Sequence, residues 1–204
     1  MNVAYLIIGK NIDLKNYCFE DNSLKVGIDR GSYIALSNNI DLDIAIGDFD
    51  SCSKEEINLI ESKVKNIVRL NSIKDDTDTE AALNLVSSYD KIIILGGIQG
   101  KRIEHFLANI ILLSRNPKIV IEDDYSKIFF LDVGKHVVEK ENYTFISFIS
   151  LKESRISLNG FKYELDNYLL RNDSSLCFSN EFKSSKGEIE VSLSPLIVIL
   201  SKKD

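Results

Sequence analysis

Two acidic clusters carry the first chemical signal in this chain. Gly47-Asp48-Phe49-Asp50-Ser51 follows a short apolar run, Ile44 to Ile46. Lys74-Asp75-Asp76-Thr77-Asp78 follows another, Ile67 to Leu70, through Asn71-Ser72-Ile73. In extended backbone alternate residues project to one side, so Asp48 and Asp50 can converge. Acids at a helix start have a simpler use, because they favour the macrodipole, and Thr77 reads as a cap there. Yet three acids within four residues, beside a second pair after a neighbouring strand, repel one another without a counter-ion. Magnesium takes hard oxygen ligands, often one or two carboxylates together with substrate phosphates. Asp48, Asp50, Asp75 and Asp78 are therefore the candidate metal ligands. An acid–base carboxylate pair is the other reading of Asp48 and Asp50, and a solvated acidic face is the plain one.

A third element is Gly96-Gly97-Ile98-Gln99-Gly100-Lys101-Arg102, after the apolar run Ile92 to Leu95. Glycines allow close backbone approach to a ligand, and free N–H groups at a helix start favour an anion. Lys101 and Arg102 add positive charge. The glycine spacing is not that of a Walker A loop, and Arg102 stands where Ser or Thr would be required. Beside a metal site the segment reads as a phosphate cradle. Glu104, His105 and Asn109 follow; His105 and Asn109, four apart, share one side of a helix, which suits either a structural hydrogen bond or a site role. His136 reads as structural.

The elements that must position these groups alternate over the first 120 residues. Apolar runs at Val3 to Ile8, Leu24 to Ile28, Ile44 to Ile46, Ile67 to Leu70, Ile92 to Leu95 and Ile119 to Ile121 read as strands covered on both faces. Ser53-Lys-Glu-Glu56 and Thr77-Asp-Thr-Glu80 are capping boxes, and Arg102 to Ser114 is a third helical segment. Glu55, Glu56 and Glu61 are expected on a helix surface. This is a βαβ rhythm, and it predicts a Rossmann-like, largely parallel α/β domain over residues 1–124. In such sheets ligands bind at the carboxyl ends of the strands, where both acidic loops and the glycine loop fall. From Ser126 the segments shorten and alternate, with a hairpin signal at Asn159-Gly160. Residues 125–204 are expected to form a small all-β sandwich, in which Asp166 to Leu170 could make one helical turn.

Composition narrows the class. Of 204 residues, 44% are apolar and 27% charged, and the formal net charge is −6. Residues 41–80 hold eleven acids and five bases, so the whole excess lies there. The chain lacks the basic stripe of a nucleic-acid binder. No apolar run approaches the roughly 18 residues of a membrane helix. Three cysteines without metal-ligand spacing argue against a disulfide framework, and the N-terminal run reads as a strand rather than a signal peptide. A reducing, cytoplasmic compartment is expected.

In this order the motifs resemble the thiamine pyrophosphokinase family. The resemblance rests on Gly47-Asp48-Phe49-Asp50-Ser51, Asp75-Asp76-Thr77-Asp78 with Glu80 and Ala82-Leu83, and Gly96-Gly97 through Arg102-Ile-Glu104-His105 and Leu107-Ala108-Asn109. Asp29-Arg30-Gly31 is similar to the family's Asp-Gly-Gly turn, and Asn159 to Leu165 with Ser179-Asn180-Glu181 resemble its closing segments. The resemblance implies a homodimer with thiamine near the subunit interface. It implies transfer of the pyrophosphoryl group of ATP to thiamine's hydroxyl, with Mg²⁺ held by Asp48, Asp50, Asp75 and Asp78. One of those carboxylates would take the hydroxyl proton. Arg102 and the Gly96, Gly97 and Gly100 backbone would hold phosphates. Asp29, Ser51, Lys101, Glu104 and His105 are further candidate ligand contacts, and Ser179 and Asn180 would contact thiamine. Three positions depart from the family pattern: Glu104 stands where Asp is usual, Arg30 replaces a glycine, and the chain has no tryptophan. A pyrophosphokinase for another heterocyclic alcohol such as a pterin, or a non-catalytic nucleotide or thiamine diphosphate sensor, would share many of these motifs.

Overall fold

A computed structural model of the chain describes residues 1–9, 12–71, 77–98 and 102–203. It divides into two compact units, Met1–Leu112 with Lys118–Asp124, and Leu113–Pro117 with Tyr125–Asp204.

The first unit is built on β1 (Val3–Ile7), β2 (Leu24–Ile28), β3 (Ile44–Gly47), β4 (Asn66–Arg69), β5 (Lys91–Leu95) and β6 (Ile119–Glu122). They lie in the order β6-β5-β1-β2-β3-β4, and each neighbouring pair is parallel. All five residues of β1 are buried, which is what a near-continuous apolar run requires when both faces are covered. Val3, Tyr5 and Ile7 pack with Leu14, Ala35, Ile93 and Leu95, and Ala45 with Phe49, Ile60 and Val64. Between the strands lie α1 (Arg30–Ser37), α2 (Lys54–Lys63), α3 (Asp78–Leu85) and α4 (Ile103–Arg115).

Local chemistry sets the helix starts. Ser53 Oγ accepts the Glu56 N–H at 3.2 Å, and Glu56 Oε2 accepts the Ser53 N–H at 2.8 Å, so the first capping box closes. Thr77 accepts the Glu80 N–H at 3.1 Å and starts α3. Glu56, expected on the surface, is instead buried and also accepts two hydrogen bonds from Arg30. The sequence pattern did not reveal α1, since it begins without a side-chain cap. Its start is fixed by proximity: a Cβ on Gly31 would lie 2.1 Å from the Ile7 carbonyl oxygen, so only glycine lets α1 close on β1.

The second unit is formed by β7 (Ser126–Leu131), β8 (Gly134–Glu139), β9 (Phe145–Ser150), β10 (Ser154–Asn159), β11 (Leu165–Leu170), β12 (Asn180–Glu181), β13 (Lys186–Ser192) and β14 (Leu196–Ser201). β12-β9-β14-β7 pair antiparallel, as do β11-β10-β13-β8. Strand pairing in the chain as a whole is therefore mixed. Inward residues of both sets, among them Phe148, Ile156, Ile189 and Val198, share one core with Phe161. Asp166 to Leu170 is strand rather than helical turn: Tyr168 pairs with Ile156 and Leu170 with Ser154. That ladder holds the segment extended. The Asn159-Gly160 signal marks the β10–β11 turn, with Gly160 at φ 82°. Among the described residues no helix is long and apolar enough to cross a membrane.

Candidate active site

Parallel strands end at a common edge, and the loops that leave it bring distant acids together. Asp29 follows β2, Asp48 follows β3, and Asp78 opens α3. Each of these three offers a carboxylate oxygen, and the three oxygens lie within 4.8 Å of one another. They line a cavity of about 780 Å³ with Arg30, Asp50, Ser51, Gly97, Arg102 and His105.

The loop after β3 shows how the chain aims these groups. Phe49 has φ 61°, an uncommon conformation for a bulky residue, and its side chain is buried in the cluster with Ala45, Ile60 and Val64. Its N–H donates to Asp29 Oδ1 at 3.2 Å, while the Asp29 N–H donates to the Ile46 carbonyl at 2.9 Å. Asp29 is thus tied to the loop that carries Asp48. The Asp50 N–H in turn donates to Asp48 Oδ1 at 3.0 Å. The positive φ breaks the alternation that would have made Asp48 and Asp50 converge. Asp50 is exposed and lines the cavity, and among the described residues it falls outside the three-carboxylate group.

Electrostatics in the group are strained. Burial, the Asp78 charge, a hydrogen bond with Asp78 and the Asp48 charge together raise the Asp29 carboxyl to about 7, against the opposing Phe49 N–H. Three converging hard oxygens with this mutual repulsion fit a divalent cation such as Mg²⁺, which would relieve it. A testable consequence concerns stability. Because the folded-state value lies above the ordinary 3.8, the stabilisation of the protonated carboxyl is full below 3.8 and lost as pH rises through about 7. Cation-free protein should melt a few degrees lower at pH 8 than at pH 6. After a discount for solvent screening the loss is about 1–2 kcal/mol. Asp29→Asn should flatten that slope in thermal melts, and equal slopes for both proteins would remove Asp29 as its source.

The glycine turn stands at the end of β5. Gly96 and Gly97 have φ 84° and 79°. The Gly96 N–H donates to the Glu122 carbonyl at 2.7 Å. A Cβ on Gly97 would come within 2.5 Å of Ile8 Cδ1, so the turn is built for close approach. Asn109 is buried and donates to the Gly97 carbonyl at 3.4 Å, a structural use. Arg102 and Glu104 are exposed and paired at 2.8 Å, which holds the Glu104 carboxyl below its usual range.

Residues 16–122 match the model for "Thiamin pyrophosphokinase, catalytic domain", and residues 135–198 match "Thiamin pyrophosphokinase, vitamin B1 binding domain". The chain belongs to the thiamin pyrophosphokinase family. It is 36% identical over 197 residues to a thiamine pyrophosphokinase of Bacillus subtilis, covering 93% of this chain and 92% of that one. The crystal structure of thiamine pyrophosphokinase from Bacillus subtilis superposes with a TM-score of 0.91 at 33% identity, covering 100% of both chains. The thiamin pyrophosphokinase from Geobacillus thermodenitrificans gives 0.87 at 27% identity, covering 99% of this chain and 98% of that one.

Within the matched catalytic segment of this family member, the cavity gathers Asp29, Asp48, Asp50, Ser51, Asp78, Gly97, Arg102 and His105. Gly96 adjoins it through the turn, and Glu104 is reached through its pair with Arg102. Asp75, Asp76, Gly100 and Lys101 lie outside the described residues. Ser179 and Asn180 belong to the second unit. Asn180 is buried; its Oδ1 accepts the Tyr163 and Glu181 N–H groups at 3.0 and 2.9 Å, and its Nδ2 donates to the Tyr163 carbonyl at 2.8 Å. That side chain fastens the β10–β11 turn. Ser179 is exposed at φ 54°, its N–H donating to Ser147 Oγ at 2.9 Å. His136 Nε2 lies 2.7 Å from the Asp132 carbonyl oxygen.

Gly9 and Arg30 also line the cavity, and neither is among the site residues expected from sequence. Gly9 could have been found by the strand-end rule, since it follows β1 as Asp29 follows β2. The same rule would have placed Asp29 among the candidate metal-binding carboxylates.

Proposed function

We propose that the chain catalyses Mg²⁺-dependent transfer of the pyrophosphoryl group of ATP to the hydroxyl of thiamine, giving thiamine diphosphate and AMP. The convergence of Asp29, Asp48 and Asp78 within 4.8 Å in one cavity, in a chain of this family, carries the reading. Asp29, Asp48 and Asp78 would hold the cation, and Asp50 and Asp75 are the further carboxylates that the family resemblance offers for it. Bound there, Mg²⁺ supplies charge neutralisation to the polyphosphate. The backbone at Gly96 and Gly97 and the Arg102 guanidinium orient the phosphates. A carboxylate of the cluster takes the proton as thiamine's oxygen bonds to the β-phosphorus and the bond from that phosphorus to the α–β bridging oxygen breaks, leaving AMP. Positioning and electrostatic stabilisation account for most of the acceleration in such transfers.

In this reading residues 1–124 form a Rossmann-like catalytic domain. Residues 125–204 form a sandwich that contributes to thiamine binding and to a homodimer, and the enzyme works in the cytoplasm. Three free cysteines, Cys18, Cys52 and Cys177, are in keeping with a reducing compartment. The deciding measurement is incubation with ATP, Mg²⁺ and thiamine, followed by separation of nucleotides and thiamine esters. AMP and thiamine diphosphate should form in equal amounts and vanish with a chelator. AMP formation with a pterin and not with thiamine would replace the acceptor; no AMP with either would overturn the reading.

A further inference from the structure

We infer that Arg30 is a nucleotide-phosphate anchor of this site and that Glu56 is the residue that positions it. The inference rests on the pyrophosphokinase reading for the identity of the anion. Arg30 lines the same cavity as the three converging carboxylates. Its Nε and Nη2 donate to Glu56 Oε1 at 3.1 and 2.8 Å. A guanidinium has five N–H donors, so this pair engages only two of them.

The two partners differ in setting. The Glu56 side chain is 11% exposed and that of Arg30 46%. The acid is sunk at the start of α2, where its other oxygen accepts the Ser53 N–H at 2.8 Å. The arginine is open toward the cavity. A pair that served stability alone would gain little from an exposed cation half. Here the buried, doubly bonded acid fixes the rotamer of a long, flexible side chain, and so lowers the ordering cost when an anion arrives. Arg102 is differently built: both it and its partner Glu104 are largely exposed, at 69% and 60%. A substrate polyphosphate carries more negative charge than one divalent cation offsets, and a rigid arginine fork meets phosphate oxygens with directed hydrogen bonds.

The test compares wild type, Arg30→Ala, Arg30→Lys and Glu56→Gln in the full chain. It uses the non-cleavable α,β-methylene analogue of ATP with Mg²⁺ in calorimetric titrations, and steady-state kinetics with ATP and thiamine. Arg30→Ala should weaken analogue binding and raise the KM for ATP by about tenfold or more, with the KM for thiamine within about twofold of wild type. Arg30→Lys should recover part of the loss. Glu56→Gln keeps an oxygen for the Ser53 N–H and should weaken the analogue by a smaller factor, about threefold, with a melting temperature close to wild type. Equal analogue affinity in wild type and Arg30→Ala at matched melting temperatures would overturn the inference. Should Arg30→Ala fail to fold, unchanged affinity in both Arg30→Lys and Glu56→Gln overturns it equally. Wild type that binds the analogue through Arg30 but makes no AMP from thiamine would sink the pyrophosphokinase reading and leave the anchor standing.

Discussion

Asp78→Asn should lower turnover of ATP and thiamine by about a hundredfold to ten-thousandfold while raising the melting temperature of the cation-free protein. The two effects have one source. Asp78 is among the three carboxylates whose oxygens lie within 4.8 Å, and after burial its charge is the largest cause that raises the Asp29 carboxyl. An amide of the same shape removes a negative ligand and also removes repulsion. Thr77, which caps α3 through the Glu80 N–H, is untouched, so the helix start survives. A loss of activity from unfolding would move the melting temperature the other way. Nucleotide separation after a timed reaction, with a thermal melt of the same sample, measures both. Turnover within threefold of wild type would remove Asp78 from the machinery.

Gly31→Ala should destabilise the chain and weaken the site together. The new methyl would lie 2.1 Å from the Ile7 carbonyl oxygen, 2.8 Å from the Ile7 carbonyl carbon and 3.0 Å from Ile8 Cα. All three are backbone atoms, so no side chain can swing aside and α1 must move off β1. Overpacking of this kind costs about 1–3 kcal/mol or more, which is several degrees in Tm for a chain of this size. Asp29, two residues earlier, moves with the helix start. Mg²⁺ titrated against the folded mutant should therefore bind more weakly than to wild type. A mutant that melts with wild type and binds Mg²⁺ equally would show that α1 accommodates the methyl by another route.

The sequence made the strand–helix alternation legible because β1, β3 and β5 are short apolar runs that a sheet covered on both faces demands. The start of α2 was legible because Ser53 and Glu56 each satisfy the other's backbone donor, a purely local arrangement. α1 was not, since Asp29, the residue in its cap position, turns its carboxylate to Phe49 and the acidic group instead of to the helix. The extended state of Asp166 to Leu170 was hidden for a different reason. Several of its residues are exposed, so no alternation shows, and only pairing with β10 holds it. Glu56 looked like surface because its partner Arg30 is 26 residues away in sequence. The pairing of Asp48 with Asp50 was drawn from ideal extended geometry, which the φ of Phe49 does not obey. Apart from the Phe49 turn, each of these differences is a tertiary contact overriding a local rule.

That φ has a further consequence, for which substitutions the loop can accept. At Phe49 one residue fills the core with its ring, while its backbone aims the carboxylate before it and binds the one after β2. A β-branched residue there would meet the positive φ at high cost, and glycine would welcome the φ but empty the core. Neither the packing nor the acidic site can thus drift in sequence without the other. A library randomised at position 49 alone should return very few functional members, and those it returns should be large, unbranched at Cβ and apolar.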